Sequence, residues 1–216
     1  MKLYVYEYCP YCIKARMIFP LKGLPFELEV LLDDDTRTPT QLIGRKLLPI
    51  LVKEDGTAMG ESMDIVRDIE RQPNTKRCLI GADRREIGAW CSDTASTIYS
   101  LAMPRWCDMP VHEFSTPSAR AFYLRGKEAW LGPFKQLIAQ TPALLAKVNA
   151  ALATLETLIA SEDAVNGELS EDDFSVFPLL HQLSVVKGVR YPAKVAVYRH
   201  RMAERCHIPL YDEHAR

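Results

Sequence analysis

No stretch of the sequence approaches the roughly 20 consecutive apolar residues that a membrane-spanning helix requires, so a membrane partner is not expected. Neither sign of charge dominates. The 27 Lys and Arg against 28 Asp and Glu leave a formal net charge of −1, which removes the electrostatic reason to expect nucleic acid or an anionic surface as a partner. There is no internal repeat and no low-complexity tract. Met1–Tyr6 lacks the longer apolar core and small-residue cleavage site of an export signal and reads directly as a strand, so a cytoplasmic location is expected. Histidine is sparse and scattered (His112, His181, His200, His207, His214), and no second close pair of cysteines accompanies Cys9 and Cys12. A structural zinc site takes four ligands, so no metal is expected. The six cysteines are too dispersed, and the chain too long, to be read as the disulfide framework of a small secreted domain. Cys78, Cys91, Cys107 and Cys206 are read as buried thiols acting as small apolar groups.

What is present falls into two halves with different patterning. Lys2–Tyr6 is β-branched and aromatic, and Pro10–Lys22 reads as a helix closed by Gly23, with Pro20 expected to end or bend it. Phe26, Leu28 and Val30 alternate with Glu27 and Glu29 as in a half-buried strand. Thr38-Pro39 has the form of a cap plus first-turn proline, opening a short helix that stops near Gly44. Pro49–Val52 and Thr57–Met59 flank Asp55-Gly56 as a hairpin, and Met63–Ile69 supplies a further helix. The order β-α-β-α-β-β-α is that of a thioredoxin-like domain. Gln72-Pro73-Asn74-Thr75-Lys76 is polar and holds a proline, so the linker is placed there. Residues 1–72 form the first domain, 73–84 the linker and 85–216 an all-helical second domain.

In that second half, Ile87, Trp90, Cys91, Thr94, Ile98 and Leu101 recur at helical spacing until Pro104. Thr116-Pro117 and Thr141-Pro142 resemble caps with first-turn prolines. Leu145, Val148, Leu152, Leu155 and Ile159 mark one apolar helical face. Ser170 and Asp173 have the spacing of a capping box with Asp in place of Glu, ahead of the apolar run Phe174–Val186. Pro192 opens a last helix through about Cys206.

The Cys9-Pro10-Tyr11-Cys12 stretch carries the chemistry. Its spacing admits a metal clip, a staple or a reactive dithiol. The first lacks ligands, and the second would close too short a loop. As the pair follows a strand and begins a helix, Cys9 falls at the helix N-terminus, where free N–H groups and the helix dipole favour a thiolate. Cys12, one turn on, can reach back to the sulfur of Cys9 as a resolving thiol. Lys14 and Arg16 are read as a solvated helix face, and Asp33-Asp34-Asp35 as a solvated loop. Tyr4 and Tyr6 are read as core.

Cys-Pro-Tyr-Cys after a first strand resembles the active-site motif of dithiol glutaredoxins. Leu48-Pro49-Ile50 resembles the cis-proline segment that faces the motif in thioredoxin-like folds. Glu61-Ser62 is similar to the Glu/Gln-Ser pair with which glutathione transferases hold the γ-glutamyl end of glutathione. The segment Asn166–Asp173 resembles the capping box of the transferase helical domain. Together these cover the whole chain and resemble the glutaredoxin 2 family of bacteria, a two-domain form with a transferase-like architecture. The chain departs from small glutaredoxins in having Leu47-Leu48 for their Thr-Val, Met59–Asp64 for their Gly-Gly…Asp loop, and Tyr8 for a lysine.

The resemblance implies glutathione-dependent thiol–disulfide exchange. Cys9 would attack a glutathione mixed disulfide or a protein disulfide, and Cys12 would resolve the product. It also implies a glutathione site made by Cys9, Tyr11, Leu48, Pro49, Glu61 and Ser62. Glutathione is then the reductant, the other partners are glutathionylated or disulfide-containing proteins, and a monomer is expected. The alternatives are a glutathione transferase or dehydroascorbate-reductase-like enzyme using Cys9, and a non-enzymatic interaction domain or iron–sulfur carrier.

Overall fold

The computed structural model describes residues 1–73 and 75–216; Asn74, inside the expected linker, lies outside the described residues. Four short strands, β1 (Lys2–Val5), β2 (Glu27–Val30), β3 (Ile50–Val52) and β4 (Ala58–Met59), form one sheet in the order β2-β1-β3-β4. β1 and β2 are parallel, joined through α1 (Pro10–Lys22), while β3 pairs antiparallel with both β1 and β4. Helices α2 (Arg37–Ile43) and α3 (Ser62–Glu70) complete this half. The helical half holds α4 (Arg85–Trp106), α5 (Pro117–Leu131), α6 (Phe134–Ala139), α7 (Thr141–Leu158), α8 (Asp173–Gln182) and α9 (Ala193–Arg205).

Local signals explain most of these limits. Gly23 closes α1 with φ 66°, and its N–H and that of Leu24 return to the carbonyls of Pro20 and Phe19. Pro20 does not end the helix: in the last turn the one hydrogen bond it forfeits is followed within three residues by the cap. Likewise α4 runs through Pro104 to Trp106, held by burial of Met103 and Trp106. α2 starts before the expected Thr38 because the Asp35 carboxylate accepts from the Thr38 N–H at 2.9 Å. Thr116 caps α5, accepting from the Ala119 N–H at 3.2 Å. Thr141 does not cap α7; its hydroxyl donates to the Ile138 carbonyl and accepts from Arg105. β2 is an edge strand, which leaves Leu28 38% exposed rather than half buried.

The two halves share one core. α1 packs against α3 on one side and α8 on the other, and α4 packs against α7 and α8. Asp173, wholly buried, is the hub of the helical half. Its carboxylate accepts from the N–H groups of Ser170 (2.9 Å) and Val165 (2.8 Å) and from the Tyr198 hydroxyl (2.9 Å). The bond to Ser170 is the reach-back half of the expected capping box. Of the four outlying thiols only Cys206 is fully buried; Cys78, Cys91 and Cys107 are partly exposed, and Cys78 donates to Glu70 at 3.2 Å.

Candidate active site

The sheet topology gathers three sequence segments at one end. β1 runs toward the Cys9 motif. Its antiparallel partner β3 starts at that same end, with Tyr4 opposite Ile50, which puts Leu48-Pro49 beside the residues leading into Cys9. β4 runs back again, so Met59-Gly60-Glu61-Ser62 emerges there too. The approach of the last two segments is close: a Cβ on Gly60 would meet the Leu47 side chain at 3.0 Å and the Pro49 carbonyl at 3.9 Å. The Leu48-Pro49 peptide is cis. Glu61 is a non-glycine residue at φ 66°, ψ 113°, preceding the first helical residue Ser62, which is buried. The exposed Glu61 carboxylate pairs with Arg45 at 2.8 Å.

Cys9 occupies the N-cap of α1, with extended backbone and Pro10 as the first helical residue, and it is partly accessible. Its thiol titrates below the ordinary range. The largest cause is the Cys12 thiol, which donates to it; the N–H of Cys12, the ammonium of Lys127 and the N–H of Tyr11 add to this, against the cost of burial. Cys12 is fully buried and its thiol is pushed up, first by burial and then by the negative Cys9 sulfur, while its sulfur accepts from the Tyr6 N–H at 3.3 Å. Two like thiols one turn apart are thus driven in opposite directions. Tyr11 is 55% exposed at the mouth, with the Lys14 ammonium over its ring.

Several residues around the motif have no signature in the sequence. Tyr8 is buried and stacks on Tyr6 and Phe114 and edge-on against Tyr123, an aromatic bridge between the halves. Its hydroxyl donates to Asp33 at 2.8 Å, so Asp33 is a buried acceptor and not part of a solvated acidic loop. Lys127 of α5 lies over the rings of Tyr8, Tyr123 and Trp130. Gln182, at the end of α8, donates to the Tyr8 carbonyl at 2.5 Å. Glu113, in a short turn at His112–Phe114, accepts from the Tyr8 N–H at 3.0 Å. Arg16, expected on a solvated face, is buried, and desolvation lowers its pKa against the raising influence of Glu7. A cavity of about 260 Å³ opens at Tyr6 and Tyr8, between Leu48 and Lys46 on one side and Phe122, Tyr123 and Lys127 on the other. Among the described residues no cluster of His, Cys, Asp and Glu gathers as a metal site, and no helix is long and apolar enough to cross a membrane.

The family profile "Glutaredoxin 2, C terminal domain" matches residues 86–215, and "Glutathione S-transferase, N-terminal domain" matches residues 3–77. Glutaredoxin 2 of Escherichia coli strain K12 is 45% identical over 215 residues, covering the whole of both chains. The chain belongs to the glutaredoxin 2 family. A crystal structure of glutaredoxin 2 from Salmonella typhimurium in complex with glutathione superposes with a TM-score of 0.97 at 44% identity, covering 100% of this chain and 98% of that one. A glutathione transferase from Phanerochaete chrysosporium shares the fold at 16% identity, with a TM-score of 0.71 over 94% of this chain and 96% of its own. The expected architecture, a thioredoxin-like half followed by a transferase-like helical half, is therefore the family's. At family level this glutaredoxin 2 relative is an enzyme, a glutathione-dependent oxidoreductase.

Proposed function

We propose that the enzyme reduces glutathione mixed disulfides and protein disulfides through Cys9 and Cys12, with glutathione as reductant. The observation that carries this is the placement of a partly accessible Cys9 at the N-cap of α1 with Cys12 fully buried one turn on. The Cys9 thiolate attacks a disulfide R–S–S–G, forming Cys9–S–S–G and releasing R–S⁻. A glutathione thiolate then displaces Cys9 and leaves as glutathione disulfide. With a protein disulfide, the mixed disulfide on Cys9 is attacked instead by Cys12, forming the Cys9–Cys12 disulfide and freeing the protein thiolate. Two molecules of glutathione restore the dithiol.

Glutathione binding in this chain is supported by the relative crystallised with it. Tyr11, Leu48, Pro49, Glu61 and Ser62 would hold it beside Cys9, the main chain of Leu48 engaging the cysteinyl portion as a short strand does. Ser62 and the free N–H groups at the start of α3 suit the γ-glutamyl carboxylate. The division into a domain at 1–72, a linker at 73–84 and a domain at 85–216, the cytoplasmic location and the monomeric state belong to the same reading. The large exposed apolar side chains, Tyr11, Leu28, Ile80, Leu124, Trp130 and Ile138, are spread over four elements and the linker, which supports a monomer.

Cys9→Ser is expected to abolish turnover. Cys12→Ser is expected to retain reduction of the mixed disulfide of glutathione and 2-hydroxyethanethiol while losing reduction of insulin disulfides. Full activity in Cys9→Ser refutes the reading. Conjugation of glutathione to an electrophile, without reduction of either disulfide, would assign the chain to transferase chemistry instead.

A further inference from the structure

The dithiol reading above, on which this inference rests, leaves a proton unaccounted for. Cys12 is fully buried and protonated, yet it must attack as a thiolate. Water has no direct access to it, and Cys9 is already occupied in the mixed disulfide. The group that takes the proton must therefore be buried with it.

Glu113 has the required position and an unused acceptor. It is wholly buried, and one oxygen accepts from the Tyr8 N–H at 3.0 Å. The other oxygen is buried without a hydrogen-bond partner among the described residues. The Cys12 sulfur accepts from the Tyr6 N–H and the Glu113 carboxyl from the Tyr8 N–H, two backbone nitrogens at most about 7 Å apart along the chain. The Glu113 charge is among the influences that push the Cys12 thiol up. A buried acceptor left unsatisfied is destabilising, so its presence near a thiol that must ionise calls for a role.

We propose that Glu113 accepts the proton of Cys12, directly or through one water, as Cys12 attacks the mixed disulfide on Cys9. In balance, Cys12–SH, Cys9–S–S–R and Glu113–COO⁻ give the Cys9–Cys12 disulfide, R–S⁻ and Glu113–COOH. The sulfur–sulfur bond of Cys9–S–S–R breaks with its electron pair on the departing R–S⁻ sulfur, which is reduced as the Cys12 sulfur is oxidised, and the proton rests on the carboxyl until the site reopens to solvent. Burial pushes the Glu113 carboxyl up to about 7, offset by the N–H groups of Tyr8 and Glu113 itself and reinforced by the charge of Glu7. Around it lie Arg16 and Cys12 from α1, Tyr123 from α5, Tyr211 from the C-terminal segment, and Asp33, whose N–H donates to the Glu113 carbonyl. A carboxyl poised near neutrality exchanges a proton readily in both directions, which the reverse reaction also needs.

Glu113→Gln tests this, since the amide oxygen keeps the bond from Tyr8 but cannot take a proton. The kcat for insulin reduction, relative to turnover of the 2-hydroxyethanethiol–glutathione mixed disulfide, is expected to fall about 100-fold, with loss of the inflection near pH 7 in insulin reduction. A merely structural role would lower both rates together and leave the inflection in place; that result, or an unchanged ratio, overturns the proposal. If Cys12→Ser reduces insulin as fast as the unsubstituted protein, the dithiol reading itself fails, and the role of Glu113 falls with it.

Discussion

Replacing Asp173 with alanine removes the acceptor of three hydrogen bonds, from the N–H groups of Val165 and Ser170 and from the Tyr198 hydroxyl, all in fully buried surroundings. Each stranded donor costs about 1–3 kcal/mol, a gross loss of roughly 3–9 kcal/mol. Two effects reduce it. The space left by the carboxylate admits a water that can serve one or two of the donors, and the cost of burying the carboxylate itself is recovered. A net destabilisation of about 4 kcal/mol is expected, out of a total of about 5–15 kcal/mol for a domain-sized protein. Urea unfolding followed by circular dichroism reads this directly: with a slope of about 3 kcal/mol/M for a chain of this size, the midpoint falls by about 1.3 M. Tyr198→Phe strands no donor and removes one bond, so its midpoint falls by no more than about 0.5 M. The consequence extends to the site, because Asp173 starts α8 and Gln182 at its far end holds the Tyr8 carbonyl. A midpoint for Asp173→Ala within 0.3 M of the unsubstituted protein would refute the reasoning, on the same order-of-magnitude slope.

Alkylation of Cys9 by iodoacetamide should rise with pH through an inflection below the free-thiol value of 9.0, because the folded protein lowers that pKa. The inflection should move up in Cys12→Ala, which removes the largest cause; an inflection at or above 9.0 in the unsubstituted protein refutes the assignment. The linkage has a fixed sign: a depressed thiol pKa adds stability that is fully present above the unfolded pKa and is lost as pH falls through the folded one. Gly81→Ala should lower the melting temperature by about 6 °C, since a Cβ there would lie 2.4 Å from the Glu168 carbonyl oxygen in a segment bonded to Leu169 through the N–H groups of Ile80 and Gly81. An unchanged melting temperature would mean that the backbone there yields freely.

The features legible in the sequence are those fixed within one or two turns of chain. Pro10 and Gly23 bound α1, Asp55-Gly56 turns the β3–β4 hairpin, and Ser170 with Asp173 starts α8. Misreadings arose where a local rule met a tertiary contact. Asp33-Asp34-Asp35 has the look of a solvated acidic loop, yet Tyr8 draws Asp33 inward and Asp35 caps α2. Arg16 occupies a helix position that reads as exposed, yet tertiary packing buries it. Pro104 should stop a helix by its own chemistry, but the burial of Trp106 and Met103 keeps the last turn in place.

The surroundings of the dithiol were illegible for a further reason: they come from the other end of the chain. Glu113 meets Tyr8 across 105 residues and Gln182 meets it across 174, separations at which no spacing rule operates. Both bonds fall on Tyr8, at the position immediately before Cys9. The small thioredoxin-like half supplies the two sulfurs, whose mutual hydrogen bond and burial drive their titrations apart. The helical half supplies the carboxylate and amide that clamp the approach to Cys9, together with the Lys127 charge that helps hold its thiolate. A helical domain that only propped the fold would have no reason to place a buried carboxyl with a free oxygen and a buried amide against the residue before the nucleophile. Each costs desolvation free energy that an apolar side chain would avoid. On the reading proposed above, the second half is part of the reaction centre.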